Sequence, residues 1–467
     1  MSTTGSPRTP TRARRPVVPP LLRETAFRRF FCGQTASLFG DQVSLLAIPL
    51  LGVLLLHASA AQMGYLTAAG LLPSLLFSMP VGARLDRRGS HRRTMLAADL
   101  GRAALLASIP LAYALGGLGL PQLYLVTFAV GTLDVFFAVA HQSVFVALVR
   151  TEDYIAGNSL LNGSRALSFV GGQSAAGLLV AALSAPGAIL IDAFSFLGSA
   201  FTLARIHPPE PPTPPATESR MAAGVAFIRR SPIMRALLGA TATVNYFNFV
   251  FFALFVLYAT RDLGVRPAEL GLVLGLGAVG GLVGATLTGR IARRIGLGRA
   301  VVLSCVLFPA PLLAVPAAGG PHLLILGLLF LGEFGSGFGV MLLDITVGSV
   351  QAEVIPDRLR SRVQGAYRMV NYGVRPLGAL TGGALGTLLG PHTTLWIATL
   401  GGLLTVLWVL PGPLRSFTGA AVASGSPAQP GHRGVEQQEP GQREREQRQQ
   451  PAEGEHQRDA EHQSTRR

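Results

Sequence analysis

Lysine is absent from all 467 residues, cysteine occurs twice, and charge of either sign is scarce. Every one of the 39 basic residues is therefore arginine, set against 24 acids for a formal net charge of +15. Two cysteines far apart in sequence, Cys32 and Cys305, exclude a disulfide scaffold. Charged residues make up 13% of the chain, roughly half the ~25% of an ordinary soluble domain. Hydrophobic residues make up 49%. A nucleic-acid binder needs its arginines on a wettable, charge-rich surface, and this chain has long apolar runs instead. Nucleic acid is thus not an expected partner, and a soluble enzyme around one aqueous core is disfavoured. No metal-ligand cluster, Walker loop or catalytic triad is visible, so neither cofactor nor enzymatic activity is expected. The arginine-only, Ala/Gly/Pro-heavy composition points to a bacterial genome of high GC content.

What is present is hydrophobic and periodic. Residues 1–29 hold seven arginines and one acid, and residues 413–467 hold eight of each. The hydrophobic material lies between. Apolar runs cover 30–56, 63–85, 94–115, 123–149, 159–183 and 188–206. A Pro-rich gap follows, and then runs at 236–260, 270–291, 300–318, 323–350, 363–388 and 394–410. Nearly all of these runs reach the length that a spanning helix needs, and none shows the strict alternation of a barrel strand. The expected fold is an all-α integral membrane protein with twelve transmembrane helices. Its divisions are a basic N-terminal segment (1–29), a six-helix half (30–206), a central loop (207–235), a second six-helix half (236–412) and a disordered tail (413–467).

The arginines also give the sidedness. With the N-terminus inside, 33 of the 39 fall on the inner side, two (Arg261 and Arg266) outside, and four within helices. The positive-inside rule then places both termini in the cytoplasm. The first run has full spanning length and no small-residue cleavage site, so it reads as a retained helix rather than a signal peptide. The low-complexity tail reads as disordered.

The halves repeat weakly. The segment from Gly82 through Asp86, Arg87, Arg88 and Gly89 to Arg92 and Arg93 follows the second run. At an offset of 207 it matches Gly289, Arg294, Gly296 and Arg299 after the eighth. The same offset sets Asp41 against Asn248, and a nearby one sets Arg165 against Arg368. Two parallel halves related about the membrane normal form one known transporter architecture.

The segment from Gly82 to Arg93 resembles motif A of the major facilitator superfamily, the acidic-basic loop between its second and third helices. Three further stretches resemble that family's drug-efflux subgroup, which contains macrolide exporters and the enterobactin exporter. They are Phe27-Arg-Arg-Phe-Phe with Gly40-Asp41, Asn158-x-Leu-Leu-Asn162, and Asp192-Ala-Phe-Ser-Phe196. The resemblance covers roughly residues 25–412. It implies a twelve-helix transporter in which Asp86 reaches the start of the eleventh helix, near Ser361 and Arg362. There the helix dipole favours an anion, so the contact would bridge the halves on the cytoplasmic side. Gly82, Arg87, Gly89 and Arg92 complete this gate. The second copy carries Arg293 in place of the acid, and the fifth run, at Gly171-Gly-Gln173, lacks the proline of the antiporter motif C.

Ionisable residues inside spanning runs are costly and call for a reason. For proton coupling and the substrate cavity the candidates are Asp41, Asp134, His141, Arg165, Asp344, Arg368 and Arg375. Carboxylates suit proton exchange because their charge can be lost and regained as a cavity changes sides. Asp134 and His141 are seven residues apart, as are Arg368 and Arg375, which places each pair on one helix face. Glu333 and Asp344 stand eleven apart, also nearly on one face. The plain alternative is that these charges pair and only hold helices together. Asp192, near an end of the sixth run, and Asp99 with Arg102, near the inner surface, fit that structural role. Aromatics Phe136, Phe137, Tyr246, Phe249, Phe251 and Tyr372 offer apolar contact. The glycines of the eighth run, among them Gly277/Gly281 and Gly280/Gly284, fit close helix packing.

The leading expectation is a monomeric secondary exporter in a bacterial cell membrane, with protons as coupling ion, a drug-like small-molecule substrate and the lipid bilayer as surroundings. A siderophore or other anionic substrate held by Arg165, Arg368 and Arg375 is one alternative. A non-transporting receptor or scaffold acting through the tail is another.

Overall fold

The computed structural model describes residues 20–206 and 221–417. Residues 1–19, residues 207–220 of the central loop and the tail from 418 onward lie outside the described residues, as do the expectations placed on them.

The described residues are helical throughout, with no strand among them. Helices α1 (Thr25–Leu54), α2 (Ala60–Arg88), α3 (His91–Ala114) and α4 (Leu120–Leu148) follow the first four predicted runs, extended by a few residues. Helix α5 (Tyr154–Ala204) holds the next two runs in one 51-residue element, whose backbone leaves helical geometry at Ser184 (φ 65, ψ 168). Pro186 explains the site of the break. It has no N–H to offer the preceding turn, and its ring clashes with the carbonyl four residues back. The short α6 (Met221–Arg230) leads into α7 (Pro232–Leu257), α8 (Pro267–Ile295) and α9 (Leu297–Leu307). The chain closes with α10 (His322–Val354), α11 (Arg360–Leu389), α12 (Pro391–Leu403) and α13 (Val406–Val409).

Among the described residues ten helical segments are long and apolar enough to cross a membrane, against the twelve expected. The difference has two sources. Residues 151–204 count once although Ser184 divides them. Helix α11 is 30 residues long but too polar to qualify, since Arg360, Arg362, Gln364, Arg368, Asn371 and Arg375 lie along it.

Helix ends follow local chemistry. Ser59 and Gln62 form a reciprocal capping box at the start of α2, with the Ser59 N–H donating to Gln62 Oε1 at 2.8 Å. Gly89 ends α2 with φ +65 and Gly296 ends α8 with φ +89, left-handed positions that favour glycine. These two glycines are the pair that the offset of 207 matched.

Packing joins α1 and α3 to α5, α2 and α3 to α4, α7 to α11 and α12, and α8 to α10. The glycine-rich face of α8 lies against α10. A Cβ on Gly280 would sit 1.9 Å from the Phe334 carbonyl oxygen, and one on Gly284 would sit 2.7 Å from that of Phe338. The packing role expected of these glycines is the observed one.

Two seams join helices far apart in the chain, α5 to α8 and α2 to α11. In the α5–α8 seam a Cβ on Gly177 would lie 2.4 Å from Pro267 O and 2.7 Å from Gly271 Cα. In the α2–α11 seam a Cβ on Gly64 would lie 2.7 Å from Ala379 O and 2.8 Å from Gly383 Cα. Both contacts fall where α2 and α8 begin and α11 ends. The bundle is therefore closed by backbone contact at that end.

Candidate functional site

The acids and arginines predicted for the membrane-spanning region separate into groups. The first is centred on Arg102, the twelfth residue of α3 and so about 16 Å along the helix at 1.5 Å per residue. Its guanidinium donates to Asp99 one turn earlier and to Asp134 on α4. The cation also lies over two rings, 4.4 Å from the Phe137 centroid and 4.1 Å from that of Phe196. Asp41 on α1 interacts electrostatically with Asp134, Arg102, Asp192 and Asp99. Asp192, beyond the Ser184 break, is buried and accepts hydrogen bonds from Ser44 and Ser195. Four carboxylates thus surround one arginine, brought together by α1, α3, α4 and α5. Asp99 and Arg102 were expected to form a helix-end pair and Asp192 to lie near an aqueous end. The Asp99–Arg102 pair forms as expected, but it is buried inside α3, which starts at His91 rather than Thr94, and not at a helix end; Asp192 is buried among α1 and α5 side chains rather than near an aqueous end. Asp134 is the open member of the knot, with its side chain 49% exposed.

His141 shares a helix face with Asp134 but not its environment. Its ring is buried and stacked on Phe30, with centroids 5.1 Å apart. Arg165 acts on it electrostatically. These two residues form a separate group near the start of α5.

The third group lines a cavity of about 280 Å³ between α7, α10 and α11. Asp344, Arg368 and Arg375 all face it, as do Asn245, Tyr367 and Asn371. Arg165 does not, so of the three arginines expected to hold an anion only two share a cavity. Arg375 Nε donates to Asn245 Oδ1 at 3.1 Å, and its guanidinium carbon lies 4.6 Å from the Tyr372 ring centroid and 5.4 Å from that of Phe249. Asn245 in turn donates to Thr241 O at 2.8 Å and to Asn371 Oδ1 at 3.3 Å. The Thr241 and Tyr367 hydroxyls are 2.7 Å apart. Asn245, Asn371 and Tyr367 were missed in the sequence because uncharged polar residues in an apolar run give no strong signal. Of the expected aromatics, Phe249 and Tyr372 brace Arg375, whereas Phe137 and Phe251 are buried in the core. Glu333, three turns from Asp344, packs beside Gly277 of α8.

Within motif A, the side chains of Asp86 and Arg87 lie outside the described residues. Among the described residues nothing lies within 4 Å of a Cβ placed on Gly82 or Gly89. Arg92 donates from Nε to Leu203 O at 3.0 Å and from Nη2 to Ala204 O. Arg29 donates to Arg205 O at 2.9 Å. Two cations thus satisfy the last carbonyls of α5, where the helix dipole favours positive charge. Arg92 is expected to be worth about 1 kcal/mol to the fold. Arg92→Gln should accordingly lower the thermal unfolding midpoint of the detergent-purified protein. The start of α11 is met by α6, for a Cβ on Gly224 would lie 2.3 Å from Arg362 O.

A cavity walled by helices that carry charge into spanning segments is the geometry of a membrane transporter. The sequence profile of the Major Facilitator Superfamily matches residues 30–379 and 238–432. The chain belongs to that superfamily. Its members are transporters, not enzymes. Among relatives of this major facilitator protein is the multidrug efflux pump Tap of Mycobacterium tuberculosis. It is 29% identical over 381 residues, which cover 76% of this chain and 85% of the pump. Tap of Mycolicibacterium fortuitum is 27% identical over 371 residues, covering 76% and 88%. Solved structures share the fold. A bacterial homologue of the iron transporter ferroportin, in an inward-facing state, superposes with a TM-score of 0.66 at 18% identity, covering 85% of this chain and all of that one. The nucleoside transporter NupG gives 0.65 at 14% identity, covering 83% and 98%.

Proposed function

We propose that the chain is a proton-coupled exporter of drug-like or secondary-metabolite molecules, working by alternating access in a bacterial plasma membrane. The observation that carries this reading is the knot of Asp41, Asp99, Asp134 and Asp192 around Arg102. One guanidinium cannot balance four carboxylates in a low-dielectric region, so the charge state of the knot depends on protons. Asp134 gives the knot an opening through which protons exchange. The similarity to Tap pumps favours export of drug-like molecules.

The same reading takes the fold as twelve spans. Ser184 divides α5 into a fifth and a sixth, and α11 is a span made polar by the cavity that it lines. Two six-helix halves then run over 30–206 and 236–412, with Gly89 and Gly296 as equivalent helix ends. The arginine distribution favours cytoplasmic termini, and the cavity, lined by residues late in α10 and early in α11, lies toward the same side on this reading. The glycine seams then close the outer side. An inward-open exporter is the state that loads substrate from the cytoplasm.

The test is dye efflux from an efflux-deficient bacterial strain, energised by a proton gradient, with drug susceptibility measured alongside. Wild-type protein should extrude dye. Asp41→Asn and Asp134→Asn should lose that activity while reaching the membrane at normal levels, and Asp86→Asn should slow it. Efflux that persists in both Asp41→Asn and Asp134→Asn would refute the coupling assignment. A well-folded wild-type protein that transports nothing across a panel of antibiotic classes would favour the receptor reading. A second substrate reading, an anionic molecule, is favoured by the shared cavity of Arg368 and Arg375.

A further inference from the structure

Arg375 differs from the other arginines of the spanning region in how it is held. Arg102 spends its hydrogen bonds on Asp99 and Asp134. Arg375 spends only Nε, on Asn245, and its guanidinium carbon lies over the rings of Tyr372 and Phe249. Among the described residues neither Nη atom is engaged in a hydrogen bond or ion pair. Asp344 lines the same cavity and acts on Arg375 electrostatically, yet no ion pair joins it to either arginine within the described residues. With Arg368 as the second cation and Asp344 as the acid, the three charged side chains leave the cavity wall net positive.

A guanidinium is costly to order, and a side chain already held on its Nε and lying over two rings has lost part of that freedom before any ligand arrives. Asn245 is itself oriented, since its amide nitrogen donates to Thr241 O and Asn371 Oδ1 and so directs its oxygen to Arg375. The remaining N–H groups form the fork that matches the two oxygens of a carboxylate or related oxyanion.

We propose that Arg375 is a built anchor for an oxyanion on the transported molecule, with Asn245 as its positioning residue. The substrate class this selects is an amphipathic organic acid whose apolar part rests against Tyr372, the aromatic that lines the cavity. This rests on the transporter reading above and narrows its substrate to molecules that carry an acidic oxygen pair.

The probes are dansyl-aminoundecanoic acid and its methyl ester, titrated by fluorescence against the full chain in phosphatidylcholine nanodiscs at neutral pH, with empty nanodiscs subtracted. The two probes share apolar area and differ only in the oxyanion. Wild-type protein should bind the acid about tenfold more tightly than the ester, the effect of a single charge-assisted pair. Arg375→Gln should bind both alike. Arg375→Lys keeps the charge without the fork or the stacking, and should retain only part of the preference. Asn245→Ala should lower the ratio of acid to ester affinity, whereas a merely structural role would weaken both probes alike and leave that ratio in place. Equal affinities for wild type overturn the proposal without recourse to any variant, and an undiminished preference in Arg375→Gln overturns it equally. No proton gradient is involved, so the outcome is separable from the transport test. Acid preference without dye efflux would refute the transport reading and keep the anchor. Dye efflux without acid preference would do the reverse.

Discussion

Arg102→Gln should be among the most damaging single substitutions in the chain, leaving little folded protein in the membrane. Arg102 is 2% exposed and Asp99 is fully buried. Removing the shared cation strands Asp99 and deprives Asp41, Asp134 and Asp192 of the positive neighbour they have in common. Breaking a buried pair by deleting one partner costs about 3–5 kcal/mol, and two stacking faces, on Phe137 and Phe196, are lost with it. Arg102→Lys should recover only a fraction. A single ammonium has no planar fork with which to hold Asp99 and Asp134 together while lying over two rings. Combining Arg102→Gln with Asp99→Asn should restore part of the loss, because the stranded carboxylate is then neutral. The measurement is the fraction of monodisperse protein surviving a temperature ramp in detergent, arranged as a double-mutant cycle. An Arg102→Gln protein as heat-resistant as wild type would show that the knot is not held by its arginine.

That knot marks where the sequence was readable and where it was not. Helix positions were legible because apolar run length is a one-dimensional signal, and the first four runs agree with α1–α4 within a few residues. The grouping of charges was not, because it depends on which helices adjoin. Arg102 and Asp99 are one turn apart and looked like a local pair. Their third partner, Asp134, lies on the next helix, and only the packing of α3 on α4 brings it in. Spacing put Asp134 and His141 on one face correctly, yet a face seven residues long spans two environments, one open and one stacked on Phe30. The cavity arginines of α11 were visible as intramembrane charges. The residues that orient them, Asn245 and Asn371, were hidden among uncharged polar side chains that the hydropathy of α7 and α11 absorbs. Motif A was legible as a motif. Its Arg92 acts on the end of α5, a contact that no spacing rule predicts.

Gly64→Leu and Gly177→Leu should each force the closed end of the bundle apart and shift the protein toward its opposite conformation. At these positions the neighbouring helix is in backbone contact, with a Cβ meeting Ala379 O at 2.7 Å in one seam and Pro267 O at 2.4 Å in the other. A flexible side chain could move aside, but backbone atoms cannot without separating the helices. Overpacking of this kind costs typically about 1–3 kcal/mol, and the cost applies only to the conformation in which the seam is closed. Each 1.4 kcal/mol is about a tenfold change in the ratio of states, so the shift should run from several-fold to more than a hundredfold. The reporter is Leu71→Cys, two turns along α2 from Gly64 and packed beside Ala68, Ala253 and Ala379, in a chain whose native Cys32 and Cys305 are replaced by serine. A membrane-impermeant maleimide added from the sealed side should label it slowly in the parent and rapidly once Gly64 is leucine. The Gly177 variant should produce the same gain through the other seam, because the two are parts of one closure. Labelling that rises with Gly64→Leu but not with Gly177→Leu would mean that the seams open independently. Unchanged labelling in both would mean that backbone contact at these glycines is not what closes the bundle.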